Sequence, residues 1–153
     1  VVALCFHLST TGFNGLYPSC SIPNAAALFP FGMLIWSLLE YSLHRWVFHT
    51  VPSTYWLITI HYLIHGLHHK TPMEKGRLVF PPPLAVIVAS PILMLLWSLT
   101  DPSTAIGVFA GGLFGYVCYD MIHYYTHHGV PALAYLRELK SYHMRHHYEN
   151  FNL

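Results

Sequence analysis

Thirteen histidines occur in a chain of 153 residues, several times ordinary usage, and their spacing points to chemistry more than their number does. His65, His68 and His69 form an HxxHH box, and His143, His146 and His147 form a second one. His123 and His127 are four apart, and His44 and His49 are five apart. A helical residue advances by about 100°, so positions i, i+3 and i+4 share a face. Each HxxHH box can therefore aim three imidazoles at one place, with the middle ring splayed toward a neighbouring site. The five-residue step separates His44 from His49 by about 140° on a regular helix. Either the helix loosens near Thr50 and Pro52, or the two rings serve different ions. Ten imidazoles exceed what one ion accepts, about four for zinc and about six for iron, so the pattern implies two ions. All-nitrogen sites suit zinc, iron, copper or nickel. A structural zinc site closes with four ligands, whereas two imidazole-rich sites at a membrane surface suit redox metals that handle O₂.

The other histidines read differently. His7 reads as an interfacial side chain remote from the boxes. His61, four before His65, either ligates or supports a ligand from behind. His128 points about 100° away from His127, which makes His127 the better ligand. Metal-bound histidines commonly donate their second N–H to a carboxylate. Glu40, four before His44, and Asp120, three before His123, are placed for that role. Tyr41, Tyr62, Tyr119, Tyr124, Tyr142 and Tyr148 crowd the same clusters, most of them as residues of an interfacial belt.

The elements that position these rings are membrane helices. The chain is 54% hydrophobic and 16% aromatic with 8% charged residues, against about 25% charged in soluble domains. A net charge of +1 gives no case for nucleic acid. Cys5, Cys20 and Cys118 show neither disulfide nor thiolate-metal spacing. The expected fold is all-α, a transmembrane helix bundle with about three spans. Residues 1–153 read as one membrane-embedded domain, a fragment truncated at both ends. Residues 25–43 read as one spanning helix. Residues 78–100 are uncharged over the length a bilayer requires, and residues 102–119 form a third span running on into Asp120 and His123. Asp101-Pro102-Ser103 is a tight turn signal. It folds the last two spans into a hairpin, so Leu78 and His123 must emerge on one side. Pro91 is expected to kink the first arm of that hairpin. Arg45, Lys70, Lys75, Arg77, Arg137, Lys140 and Arg145, all the basic residues, lie beyond the same span ends as twelve of the histidines. The positive-inside rule makes that side cytosolic.

Four stretches carry a family resemblance: LLEYSLHRWVFH (residues 38–49), HGLHHKTPMEKGRLVFPPP (65–83), YDMIHYYTHH (119–128) and SYHMRHHYENFN (141–152). They resemble the fatty acid hydroxylases, and specifically the fatty acid 2-hydroxylases that act on sphingolipid acyl chains. HxxHH boxes alone are shared with desaturases and sterol oxidases, whereas HGLHH followed by Pro72, Met73 and RLVFPP is more specific. The resemblance implies an endoplasmic-reticulum enzyme with four spans and a cytosolic helical cap over two metal ions, iron for catalysis, with zinc able to replace it in isolated protein. Carried over by position, the metal ligands are His44, His49, His65, His68, His69, His123, His127, His143, His146 and His147. By their spacing, Glu40, His61, Asp120 and His128 are the candidates to support these ligands from behind. The implied reaction is hydroxylation at C2 of a long-chain or very-long-chain fatty acyl lipid, with O₂ and two electrons from a cytochrome b5-type donor, fused or separate. No electron-donor domain is expected within these residues, which stop before the glycine-rich continuation usual after the last box. Lys70, Arg77 or Arg145 could meet a carboxylate or phosphate head group.

Competing readings are a desaturase or sterol oxidase of the same superfamily, or a histidine-rich zinc transporter. A transporter would place its ligands near the bilayer midplane, not at one face. No HExxH supports a metalloprotease.

Overall fold

The computed structural model describes residues 22–150, and every described element is a helix. His7, Cys5, Cys20 and most of the loop of residues 9–24 lie outside the described residues. Helix α1 (Ile22–Leu43) passes directly into a π-helical turn (His44–Phe48). Helix α2 (Tyr55–His61) continues through a second π-helical turn (Tyr62–Gly66) into the short α3 (Leu67–Lys70). A 3₁₀ turn (Lys75–Arg77) precedes α4 (Pro82–Leu99), α5 (Pro102–His128) and α6 (Ala134–Tyr148). Three segments are long and apolar enough to cross a membrane: Pro23–Phe48, Lys75–Leu99 and Pro102–His128. They match the three spans expected from the sequence. The helix containing Pro91 runs unbroken to Leu99.

The chain divides into two compact units. The first comprises Val1–Leu38 and Pro81–Val117, the second Leu39–Phe80 and Cys118–Leu153. Within the first, α1 and α5 approach until their backbones touch. A Cβ on Gly111 would strike the Phe29 carbonyl, and one on Gly32 the Val108 carbonyl. Small side chains make that approach possible, as in other membrane helix pairs. Two aromatic pairs flank the seam, Phe29 with Phe114 at 5.5 Å and Trp36 with Tyr116 at 5.4 Å. Helix α4 buries none of its side chains and presents Val86, Ile87 and Met94 outward, as a lipid-facing helix should. Its hydroxyls turn back onto their own helix, Ser90 to the Val86 carbonyl and Thr100 to that of Leu96, so none is left unsatisfied in hydrocarbon.

Asp101 starts α5 as its N-cap. One carboxylate oxygen accepts from the backbone N–H groups of Ser103 and Thr104 at 2.9 and 3.2 Å, and the other from the Thr104 hydroxyl. These bonds satisfy donors that a helix start leaves orphaned, and they explain why the sequence turns there.

Within the second unit, the loop after α3 is closed by Glu74. Its carboxylate accepts from Arg77 Nε at 2.6 Å and from the Thr71 hydroxyl at 3.2 Å. The rest of this unit is organised around the histidines.

Candidate metal centre

Ten histidine side chains of the second unit gather into two groups of five. His44, His49, His65, His69 and His146 form the first, and His68, His123, His127, His143 and His147 the second. Within each group one ring nitrogen from every residue lies within 4.8 Å of the others. These are the ten positions singled out in the sequence. The boxes interlock. His65 and His69 enter the first group while His68 between them enters the second, and His143 and His147 enter the second while His146 enters the first. The middle ring of each box is thus splayed to the neighbouring group, a divergence that the 100° step between adjacent helical positions permits.

His44 and His49 join the same group because the chain between them is π-helical, with the wider turn that brings i and i+5 onto one face. The loosening falls on residues 44–48, before the Thr50–Pro52 stretch where the sequence places it, and both rings fall in one group. A second π turn over Tyr62–Gly66 carries His65.

The spacing fits ions better than hydrogen bonds. His65 Nε2 lies 3.2 Å from His49 Nε2 and 2.9 Å from His69 Nε2. His143 Nε2 lies 2.8 Å from His127 Nε2 and 3.1 Å from His147 Nε2. An imidazole nitrogen has one in-plane donor or acceptor direction, so it cannot serve two such neighbours, whereas a shared ion can. Two nitrogens each about 2.1 Å from one ion stand about 3.0 Å apart at a right angle and about 3.4 Å apart at the tetrahedral angle. The close pairs, at 2.8–3.2 Å, are near those distances. The ring set therefore fits two metal ions.

Burial and mutual repulsion keep the rings neutral, as ligation requires. Burial is the larger cause and neighbouring histidines the next. Together they hold His49 down at about 4, His69 at about 3, and His68 and His143 at about 2, with His65 and His147 lowered further.

The supporting groups differ in part from expectation. His123 donates from Nδ1 to the Leu78 carbonyl at 3.3 Å, leaving Nε2 to face the group. The sequence placed Asp120 behind His123. A backbone carbonyl 45 residues away takes that nitrogen instead, because the hairpin brings both span ends to one side. Asp120 is buried and lies near Glu40 and Tyr119. Tyr119 donates to Glu40, and its ring stacks on His123 at 5.8 Å. His61 stands outside both groups. Its Nε2 donates to the Phe48 carbonyl at 2.5 Å, which fixes the end of the π turn that carries His49. His128 also stands outside, packed on Tyr124 at 5.0 Å. Sequence reasoning missed Lys140. Its ammonium donates to the carbonyls of His127 and Gly129 at 3.3 and 2.8 Å, tying α6 to the end of α5. Its place three residues before His143, on the same face, is the signal that could have found it.

A family model described as fatty acid hydroxylase matches residues 29–152. The chain is 46% identical over 145 residues to a dihydroceramide fatty acyl 2-hydroxylase of Arabidopsis thaliana, covering 95% of this chain and 60% of that protein. It is 48% identical over 127 residues to fatty acid 2-hydroxylase of Rattus norvegicus, covering 80% of this chain and 34% of that one. A solved structure of full-length scs7p, with only the hydroxylase domain visible, superposes with a TM-score of 0.77 at 45% identity, covering 84% of this chain and 50% of that chain. The chain thus spans between 34% and 60% of the length of these two curated relatives.

Proposed function

The chain belongs to the fatty acid hydroxylase family, and from that premise we propose that it carries the metal centre of an enzyme that hydroxylates C2 of a fatty acyl chain for sphingolipid synthesis. The observation that carries this reading is the interlocked pair of five-histidine groups, set in a chain whose relatives are named 2-hydroxylases. The ten histidines are the metal ligands. Two redox ions held by these rings, iron in the working enzyme, would supply the activation of O₂ that no protein side chain can provide. One oxygen atom enters the C2–H bond and the other leaves as water. Two protons and two electrons come from solvent and from a cytochrome b5-type donor.

The chain's own residues bind, orient and shield. Neutral imidazoles offer lone pairs without a proton to displace. The His123–Leu78 bond selects the tautomer that presents Nε2 inward. The His61–Phe48 bond and the Lys140 clamp hold the backbone on which His49 and His127 ride, since ligands left loose weaken both metal affinity and rate. Glu40, Asp120 and Tyr119 form a buried polar cluster beside His123, suited to fixing its ring. The bilayer offers the acyl tail a solvent next to the centre. The basic residues that share the histidine-bearing span ends support a cytosolic face on the endoplasmic-reticulum membrane.

The test is lipid analysis by mass spectrometry in cells lacking endogenous 2-hydroxylase and expressing the full-length protein. Ceramides with 2-hydroxylated acyl chains are expected, and His65→Ala or His147→Ala at equal expression should abolish them. A new double bond in place of the hydroxyl would move the chain to the desaturases. A glycosylation acceptor inserted between Lys70 and Gly76 should stay unmodified if the histidine face is cytosolic.

A further inference from the structure

Residues 46–69 contain no Asp, Glu, Lys or Arg, yet they include a helix outside all three membrane-spanning segments. This helix, α2 with its π-helical continuation to Gly66, turns His61 and His65 inward. Trp56, Leu57, Ile58, Ile60, Leu63 and Ile64 stand exposed, Trp56 at 72% and Leu63 at 61%. Water would not stabilise such a face, and contiguous apolar surface of this kind marks an interaction site. The contrast inside the same unit is sharp. Helix α6 carries Arg137, Glu138, Lys140 and Arg145, as a helix bathed in water does.

Three observations say what covers the face. The first is length. Twelve residues rise about 18 Å, well short of the bilayer core of about 30 Å, so the helix cannot cross and must lie flat. The second is tether. The preceding span ends at Phe48 and the helix starts at Tyr55, so six linking residues hold it within about 25 Å of a membrane boundary. The third is composition. Tyr55 and Trp56, residues that favour the membrane–water boundary, open the helix. Arg45 and Lys70, both exposed, bracket the uncharged run as cations placed to reach lipid phosphates. Lys70 lies over the Tyr62 ring at 5.9 Å, at the end of that face.

We propose that the helix of residues 55–66 lies in the membrane plane with its apolar face in the boundary between head groups and acyl chains. The histidine unit then has a lipid contact of its own, separate from the spans, and the same helix presents His65 to the metal centre on one face and lipid on the other. This placement does not depend on which acyl lipid the centre acts on.

Spin labels test it on the full chain in nanodiscs of phosphatidylcholine and phosphatidylserine. Single cysteines replace Leu57, Leu63 and, as a reference on α6, Glu138, with Cys5, Cys20 and Cys118 changed to serine. Labels at 57 and 63 should collide with O₂ several-fold more often, relative to a water-soluble nickel chelate, than the label at 138. Equal nickel access at all three would overturn the proposal. Low access to both reagents together with dipolar broadening would also overturn it, by showing a second copy on this face. Brominated lipids give an independent reading without labels. They should quench tryptophan emission, and Trp56→Phe should remove a measurable share of that quenching. No change in the quenched fraction counts against the proposal.

Discussion

His68 and His69 are adjacent in sequence but belong to different five-ring groups, whereas His68 and His147 are 79 positions apart and share one. Metal stoichiometry in paired variants exposes that arrangement. Four-ligand zinc sites are worth about 10–16 kcal/mol, or about 3 kcal/mol per ligand, so removing one imidazole should weaken binding roughly 100-fold. A chelator set to strip sites weakened that far, yet spare intact ones, converts the loss into a count of ions. The unmodified protein should retain about two ions per chain, the stoichiometry implied by two donor groups. His68→Ala should retain about one on the same reasoning. Adding His147→Ala costs no further ion, because both changes strike the second group. Adding His69→Ala instead empties both groups. His69→Ala with His146→Ala should again leave one. The readout is elemental analysis of purified protein, with helix content by circular dichroism as the control for folding. An ion surviving in the His68/His69 pair, or none surviving in the His68/His147 pair, would refute the partition. One ion in the unmodified, folded protein would refute the two-ion reading itself.

Other perturbations reach further into the structure. Gly111→Ala drives a methyl into the Phe29 carbonyl, while the neighbouring Gly112 has only ordinary contact with the Gly32 carbonyl. Overpacking costs about 1–3 kcal/mol, so the first variant should melt earlier and Gly112→Ala should match or exceed the parent in a thermal scan. Lys140→Met removes a cation from two carbonyls, a loss of about 1.5–3 kcal/mol and hence several degrees in melting temperature. Lys140→Arg should recover part of the loss, and an unchanged melting point for the Met variant would contradict the clamp. Acid should release metal and destabilise the fold. The histidines are protonated near 6.5 when unfolded but are held at about 4 for His49 and lower for His69, His68 and His143. The unfolded chain therefore binds more protons below 6.5, and stability falls with pH from there down through about 4. Melting curves that stay flat from pH 7 to 4.5 would speak against buried, neutral rings.

The spans were legible because a bilayer imposes a length that can be counted along the chain, and Asp101 marked the turn by its capping chemistry. The ten histidines were legible for a similar reason. HxxHH is a short-range pattern, and a helix converts it directly into a shared face. The sequence fell short where the answer depends on rotation about a helix axis or on distant backbone. The π turn of residues 44–48 reverses the inference from a five-residue spacing, and nothing in HRWVF announces it. His123 finds its partner at Leu78, a carbonyl that every residue possesses and no side chain advertises. Lys140 looked like one more basic residue on the cytosolic flank, because its role exists only once α6 has folded back on the end of α5.

The exchange of middle rings between the two boxes has a consequence for biogenesis. Chains are made from the N-terminus, and the first group has four of its five donors, His44, His49, His65 and His69, upstream of the membrane hairpin. The second group has only His68 upstream. A nascent chain therefore carries four rings of the first group but a single ring of the second before the hairpin is made. Neither set closes until His143, His146 and His147 have been made. Donor availability is ordered along the chain, and the last box to be made completes both groups of five.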